Sequence, residues 1–154
     1  MAKSQWADLS DAQLAKRLGR ILDVVFNGDV EVGLGATPGG LGEVGEDTYV
    51  ALEIETKHAH PAENVLQYWP WLERSRRRLV LVHAIAPDAR KRSGPRTDLT
   101  KWLGAMMERV LPGRFTYCRL DLGTDEEAAQ LEAAVAAVTA VRTSERGRRI
   151  APGL

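Results

Sequence analysis

Two short stretches of this chain alternate apolar and charged residues in a way that could assemble chemistry. From Asp29 to Leu34, the residues Val30, Val32 and Leu34 fall on one side and Asp29, Glu31 and Gly33 on the other. From Thr48 to Lys57, Val50, Leu52 and Ile54 oppose Ala51, Glu53, Glu55 and Lys57. Alternation of period two marks a strand with one buried face. If the two strands pair as neighbours with their apolar sides on the core, Asp29, Glu31, Glu53, Glu55 and Lys57 gather on the opposite face. Like charges facing each other across a sheet are destabilising, and a cation that takes oxygen ligands, Mg²⁺ or Mn²⁺, relieves them. A lysine beside the carboxylates can orient or activate a water and neutralise the charge developing on a phosphate oxygen. The plainer alternative is a solvated outer face, on which Glu-x-Glu-x-Lys is ordinary.

An acidic residue at the start of one strand and Glu-x-Lys at the end of the next, followed by a helix and a buried strand, resembles the PD-(D/E)xK, or restriction-endonuclease-like, nuclease superfamily. The motif reads Asn27-Gly28-Asp29 and Glu55-Thr56-Lys57, within residues 10–85. The resemblance implies Mg²⁺-dependent hydrolysis of a phosphodiester, with Asp29 and Glu55 holding metal and Lys57 beside the attacking water. Gln67-Tyr68 in the next helix is similar to a Gln and Tyr found there in some branches, at a different spacing. Gly28 replaces the proline, the core is one strand short, and Glu31 and Glu53 supply extra carboxylates. Asp47, at the mouth of the second strand, rivals Asp29 for the acidic position.

Two basic clusters flank the buried strand: Arg74, Arg76, Arg77 and Arg78, then Arg90, Lys91, Arg92 and Arg96. Guanidinium groups suit phosphate backbones, so these residues are expected to contact nucleic acid, DNA in the nuclease reading. Solvated helix ends and loops would also carry them. His58, His60 and His83 with Glu55 would suit zinc, whereas His83 in a buried strand is more simply a hydrogen-bonded core residue. The glycines from Gly33 to Gly45 are not a nucleotide loop, because no Lys-Ser/Thr follows and no helix begins there. Trp69 and Trp71 read as packing residues rather than base-stacking platforms.

The elements that must position these groups follow from spacing and punctuation. Ser10 caps a helix with Leu14, Leu18, Ile21 and Leu22 on one side, ending near Asn27. Residues 35–47 are expected to be a Gly-rich connection without periodicity. Pro61 opens a helix through Asn64, Leu66, Gln67 and Trp69, kinked or interrupted at Pro70. Leu79–Ile85 is short and almost wholly apolar, as in a strand buried on both faces. A basic loop at 87–96 leads to a helix from about Asp98 to Leu111, a strand from Phe115 to Leu122 and an Ala-rich helix from Asp125 to Val141. The order α-β-β-α-β-α-β-α predicts one α/β domain over 1–141, a mixed sheet of about four strands flanked by helices. Residues 142–154 read as a basic, mobile tail.

Composition bounds the rest. The chain has 154 residues, 44% hydrophobic, enough to bury a core without disulfides. One cysteine, Cys118, suits a reducing compartment and excludes a cysteine-based zinc ribbon. No apolar stretch approaches a membrane span, so a cytoplasmic protein without a membrane partner is expected. The 21 basic and 21 acidic residues cancel, but in blocks. Asp29–Glu55 holds seven acids and no Lys or Arg, and Arg74–Lys101 holds nine basic residues against two acidic. Such polarity fits a metal-centred nuclease site. It fits equally a non-catalytic binding or assembly protein whose opposite charges meet in a homo-oligomer.

Overall fold

The computed structural model describes residues 6, 9–28, 32, 40–56 and 60–150, the side chains of 93 and 145–150 excepted. Strands β1 (Gly40–Gly45), β2 (Thr48–Glu55), β3 (Arg78–Ile85) and β4 (Phe115–Asp121) form one sheet in that spatial order. β1 and β2 are antiparallel, and β2, β3 and β4 run parallel to one another. Helix α1 (Asp11–Leu22) precedes the sheet. Helices α2 (Pro61–Leu66) and α3 (Tyr68–Glu73) connect β2 to β3, and α4 (Pro87–Ser93) and α5 (Arg96–Val110) connect β3 to β4. Helix α6 (Glu127–Ile150) follows the last strand. This is the single α/β layer structure expected, a mixed sheet flanked by helices. Among the described residues no helix is long and apolar enough to cross a membrane.

Strand alternation sends successive side chains to two different cores. Val50, Leu52, Val80, Val82, Ala84, Cys118 and Leu120 pack with Leu14, Leu18 and Leu22 of α1 and Ala134 and Val138 of α6. Ala51, Leu79, Leu81 and Phe115 pack with Val65, Tyr68 and Leu72 of α2 and α3 and with Met107 and Leu111 around α5. The two parallel crossovers advance in the same direction along the sheet, so one handedness places both sets of helices on the same face. Helix α1 begins with a capping box: Ser10 Oγ accepts from the Gln13 amide at 3.2 Å, and Gln13 Oε1 accepts from the Ser10 amide at 2.9 Å.

Several local expectations change. β1 lies inside the stretch expected to be an irregular connection. Its glycines allow a close crossing by the chain after α1: a Cβ on Gly42 would stand 2.3 Å from Val24 Cγ1, and one on Gly40 2.9 Å from Phe26 Cβ. Asn27 and Leu41 exchange backbone hydrogen bonds of 2.9 and 3.0 Å there. The helix after Pro61 breaks at Gln67 and not at Pro70. Pro70 falls in the first turn of α3, where its missing N–H has no helical partner to lose. The basic loop at 87–96 contains α4, started by Pro87 at its first position. Helix α6 runs on past Val141 to Ile150, and the Arg142 guanidinium donates to the carbonyls of Leu22 and Asp23 at the end of α1.

Candidate functional site

The odd-numbered residues of β2 do not face water. Glu53 and Glu55 are 6% and 2% exposed, beneath α2 and α3. The expectation of a solvated or open acidic face is therefore corrected: the parallel crossovers cover it. Parallel register then sets Glu53, His83 and Arg119 abreast on three strands, with Glu55 and Asp121 two residues further on. Ionisable groups thus form a band across the carboxyl ends of β2, β3 and β4, the end at which open α/β sheets bind ligands.

Each carboxylate of β2 is gripped by side chains of the next helices. Glu53 Oε1 accepts from the Tyr68 hydroxyl at 2.5 Å and from Gln67 Nε2 at 2.8 Å. Glu55 Oε1 accepts from Asn64 Nδ2 at 2.5 Å and lies 3.1 Å from His83 Nε2. Asn64, Gln67 and Tyr68 are spaced by three and four across the α2–α3 junction, where Gln67 keeps helical backbone angles and lets them share a face, and these four bonds all fall on Oε1 atoms. Burial, then the Glu53 charge and its hydrogen bond, push the Tyr68 hydroxyl far above its ordinary pKa, so it stays a donor.

His83 is fully buried, and that burial, opposed by its bond to Glu55, holds its pKa below the ordinary value. The imidazole is therefore neutral near pH 7, and its contact with Glu55 is a hydrogen bond rather than an ion pair. A carboxylate can only accept, so the proton belongs on Nε2, leaving Nδ1 to accept from the Tyr117 hydroxyl 2.9 Å away. Tyr117 also lies 3.0 Å from Thr100 Oγ1. Arg119 donates to Thr100 Oγ1 at 2.5 Å, to the Thr97 carbonyl at 2.7 Å and to Asp121 Oδ1 at 2.9 Å. Burial alone would push the Asp121 carboxyl up. Its bonds from Gln130 and Arg119, with the Arg119 charge, outweigh burial and hold it below the usual carboxylate range.

The other expected site residues divide. Asp29, Glu31, Lys57 and His58 lie outside the described residues. The pairing expected between the strand at 29–34 and β2 is corrected, because β2 is hydrogen-bonded to β1 on one side and β3 on the other. Asp47 sits in the β1–β2 turn with a left-handed φ of 51°, at the opposite end of β2 from Glu55. Eight residue steps separate them by about 26 Å, so Asp47 is no rival for a shared metal. His60 is exposed at the start of α2 and does not join His83. Among the described residues no set of three or more His, Cys, Asp and Glu side chains converges to hold a metal ion.

The two basic clusters stand at opposite ends of β3. Arg74, Arg76, Arg77 and Arg78 lie where the strand begins, with the Arg77 guanidinium 4.9 Å from the Trp71 ring. Arg90, Lys91 and Arg92 lie on α4, at the Glu55 end. Arg90 is occupied: it donates to the carbonyls of Ile85 at 2.7 Å and Leu122 at 2.6 Å, tying the ends of β3 and β4 together. Beside these strand ends a cleft of about 580 Å³ is lined by Trp6, Asp11, Thr56, Pro87, Asp88 and Leu122. Trp69 and Trp71 are half-buried against the second core, as expected.

Sequence reasoning missed Tyr117, Arg119 and Asp121, Thr100 and Asn64. Tyr-x-Arg-x-Asp at period two in an expected strand carried the signal for the first three. Comparison of the chain with protein-family models, with curated proteins and with solved structures gives no match.

Proposed function

We propose that the carboxyl end of β2 carries a metal-dependent phosphodiester-hydrolysing site of the PD-(D/E)xK kind, acting on DNA. The observation that carries this reading is the pair Glu53 and Glu55, each held through Oε1 by side chains of the following helices, with Glu55 also held by His83. Polar groups that hold a carboxylate in place orient it as outer partners orient a metal ligand. Two hard carboxylates match Mg²⁺, which usually takes one or two from protein and completes its sphere with water and phosphate oxygens. When bound, Mg²⁺ or Mn²⁺ supplies Lewis-acid polarisation of the phosphate and a more acidic water.

The chain's own residues do the rest. Gln67, Tyr68, Asn64 and His83 keep Glu53 and Glu55 from swinging. Lys57, two residues beyond Glu55 in the chain, would neutralise charge developing on the phosphate. Lys91 and Arg92, exposed on α4 at the same end of the sheet, attract the backbone of the substrate. The test is cleavage of plasmid DNA with Mg²⁺, with Mn²⁺ and with chelator. Glu55→Gln and Lys57→Ala are expected to lose metal-dependent cleavage while keeping the wild-type circular dichroism. Undiminished cleavage by Lys57→Ala overturns the assignment.

The near-complete burial of Glu53 and Glu55 favours a second reading, a non-catalytic binding or assembly protein on a nuclease-like scaffold. There the same bonds serve only to satisfy buried charge. It predicts no cleavage with either metal and no heat on calorimetric titration with Mn²⁺.

A further inference from the structure

The outer side of α5 carries an apolar stripe that no described residue covers. Leu99, Trp102 and Val110 are 56%, 58% and 52% exposed, and Met106, half-buried, lies between the last two. Steps of three, four and four align these side chains along the helix. Single exposed apolar residues are ordinary, whereas a continuous stripe that includes a tryptophan is the composition of an interface. The inner side of the same helix is committed to the sheet: Thr100, Gly104 and Met107 are buried, and a Cβ on Gly104 would stand 2.4 Å from Tyr117 Cγ.

Charge beside the stripe indicates what covers it. Asp98, in the first turn, has a 76% exposed side chain whose described ion pair is a 4.0 Å contact with exposed Lys101. Arg109, in the last turn, is exposed and has no ion pair among the described residues. At 100° per residue the two project on the same flank of the stripe, separated by about 16 Å along the axis. The geometry points to a second copy of this chain, docked α5 against α5 in antiparallel orientation about a two-fold axis. With the axis passing between Leu103 and Gly104, Asp98 faces Arg109 of the partner subunit, and the symmetry makes that pair twice. Trp102 then faces Ala105 of the partner subunit, a large side chain over a small one. A parallel pair would set Asp98 against its own copy and Arg109 against its own copy, which like charges oppose. A partner of unrelated sequence would require none of this self-complementarity. Zero formal net charge leaves no long-range repulsion between copies.

Sedimentation equilibrium of the full chain tests the proposal. The wild type is expected to dimerise, and Trp102→Glu to be monomeric over the same concentrations with unchanged circular dichroism. Asp98→Arg and Arg109→Asp each turn two attractions into two repulsions, and each is expected to raise the dissociation constant about tenfold. The double reversal is expected to return it to near the wild-type value. A monomeric wild type, a Trp102→Glu variant that still dimerises, or a double reversal no tighter than the single ones overturns it.

Discussion

The two faces of the sheet are made by alternate residues of the same strands, yet they have opposite characters. Under α1 and α6 the strand residues are apolar from Val50, Val80 and Cys118 onward, after Thr48, Arg78 and Thr116 at the strand starts. Under α2, α3 and α5 the face is apolar only in its first half, at Ala51, Leu79, Leu81 and Phe115. It then becomes Glu53, Glu55, His83, Arg119 and Asp121, with Ile85 the apolar exception between Glu55 and Asp121, all but Arg119 buried. An apolar face needs only volume and period to be stable. A face with buried ionisable groups needs a donor or acceptor for each, and here the partners come from the flanking helices and from neighbouring strand residues. The first face holds the fold together. The second puts polar groups where water has been removed and where their interactions with one another are strongest, which is why the functional proposal rests there.

The contrast can be broken most forcefully from the apolar side. Leu52 and Glu53 are adjacent and both buried, but Leu52→Glu places a carboxylate where no donor waits. That is expected to cost more than about 5 kcal/mol, comparable with the whole stability of a domain, and to leave the chain unfolded by far-ultraviolet circular dichroism. On the polar face, Arg119→Met removes the nearer of the two cations at buried Asp121, leaving Arg90 at 4.0 Å, and takes one donor each from Thr100 Oγ1 and the Thr97 carbonyl. A loss of about 3–5 kcal/mol is expected, read as a lower urea midpoint. The depressed Asp121 pKa stabilises the fold fully above the unfolded-chain value of about 3.9. Wild type should lose that contribution as the pH falls through the lower folded value, and the Arg119→Met variant should have less of it to lose.

A smaller effect is expected from Tyr68→Phe, which keeps the ring in the core and removes the hydroxyl that Glu53 accepts from. Leaving that buried acceptor with one bond fewer should cost about 1–3 kcal/mol in the same denaturation. His83 sharpens the comparison through pH. Its folded pKa lies below the unfolded value of about 6.5, so below that pH the unfolded chain binds a proton that the folded chain refuses. Stability should therefore fall as pH drops from about 6.5 towards the folded pKa, by at most about 1.4 kcal/mol per pH unit. The His83→Gln variant should show a flatter profile over that window. An unchanged slope would mean that another group titrates there.

Much of this was legible because it is local. The alternation through Thr48–Lys57 correctly sorted Val50, Leu52 and Ile54 from Ala51, Glu53 and Glu55, and the apolar run at Leu79–Ile85 identified the strand buried on both faces. Ser10 marked the start of α1 by its own side-chain chemistry. What alternation does not carry is the identity of the neighbour. Residues 40–45 looked irregular because glycine has no side chain to show a period, yet the closeness of Val24 and Phe26 is what requires glycine there. The site was half visible for a similar reason: Glu53, Glu55 and His83 stood out by type and position. Their partners Asn64 and Tyr117, and Thr100 beside Tyr117, are ordinary helix and strand residues until the chain folds.

The sequence alone therefore determined the class, the alternation of strands with helices from β2 onward, and which side chains of a strand share a face, since each depends on steric period and apolar burial within a few residues. Only the tertiary structure decided that β2 lies between β1 and β3, that its acidic side is roofed by helices rather than wetted, and that the basic clusters are separated by the length of β3. Those are contacts between residues far apart in the chain. Their energy comes from surfaces that exist only when the layers have come together, so no local pattern records them.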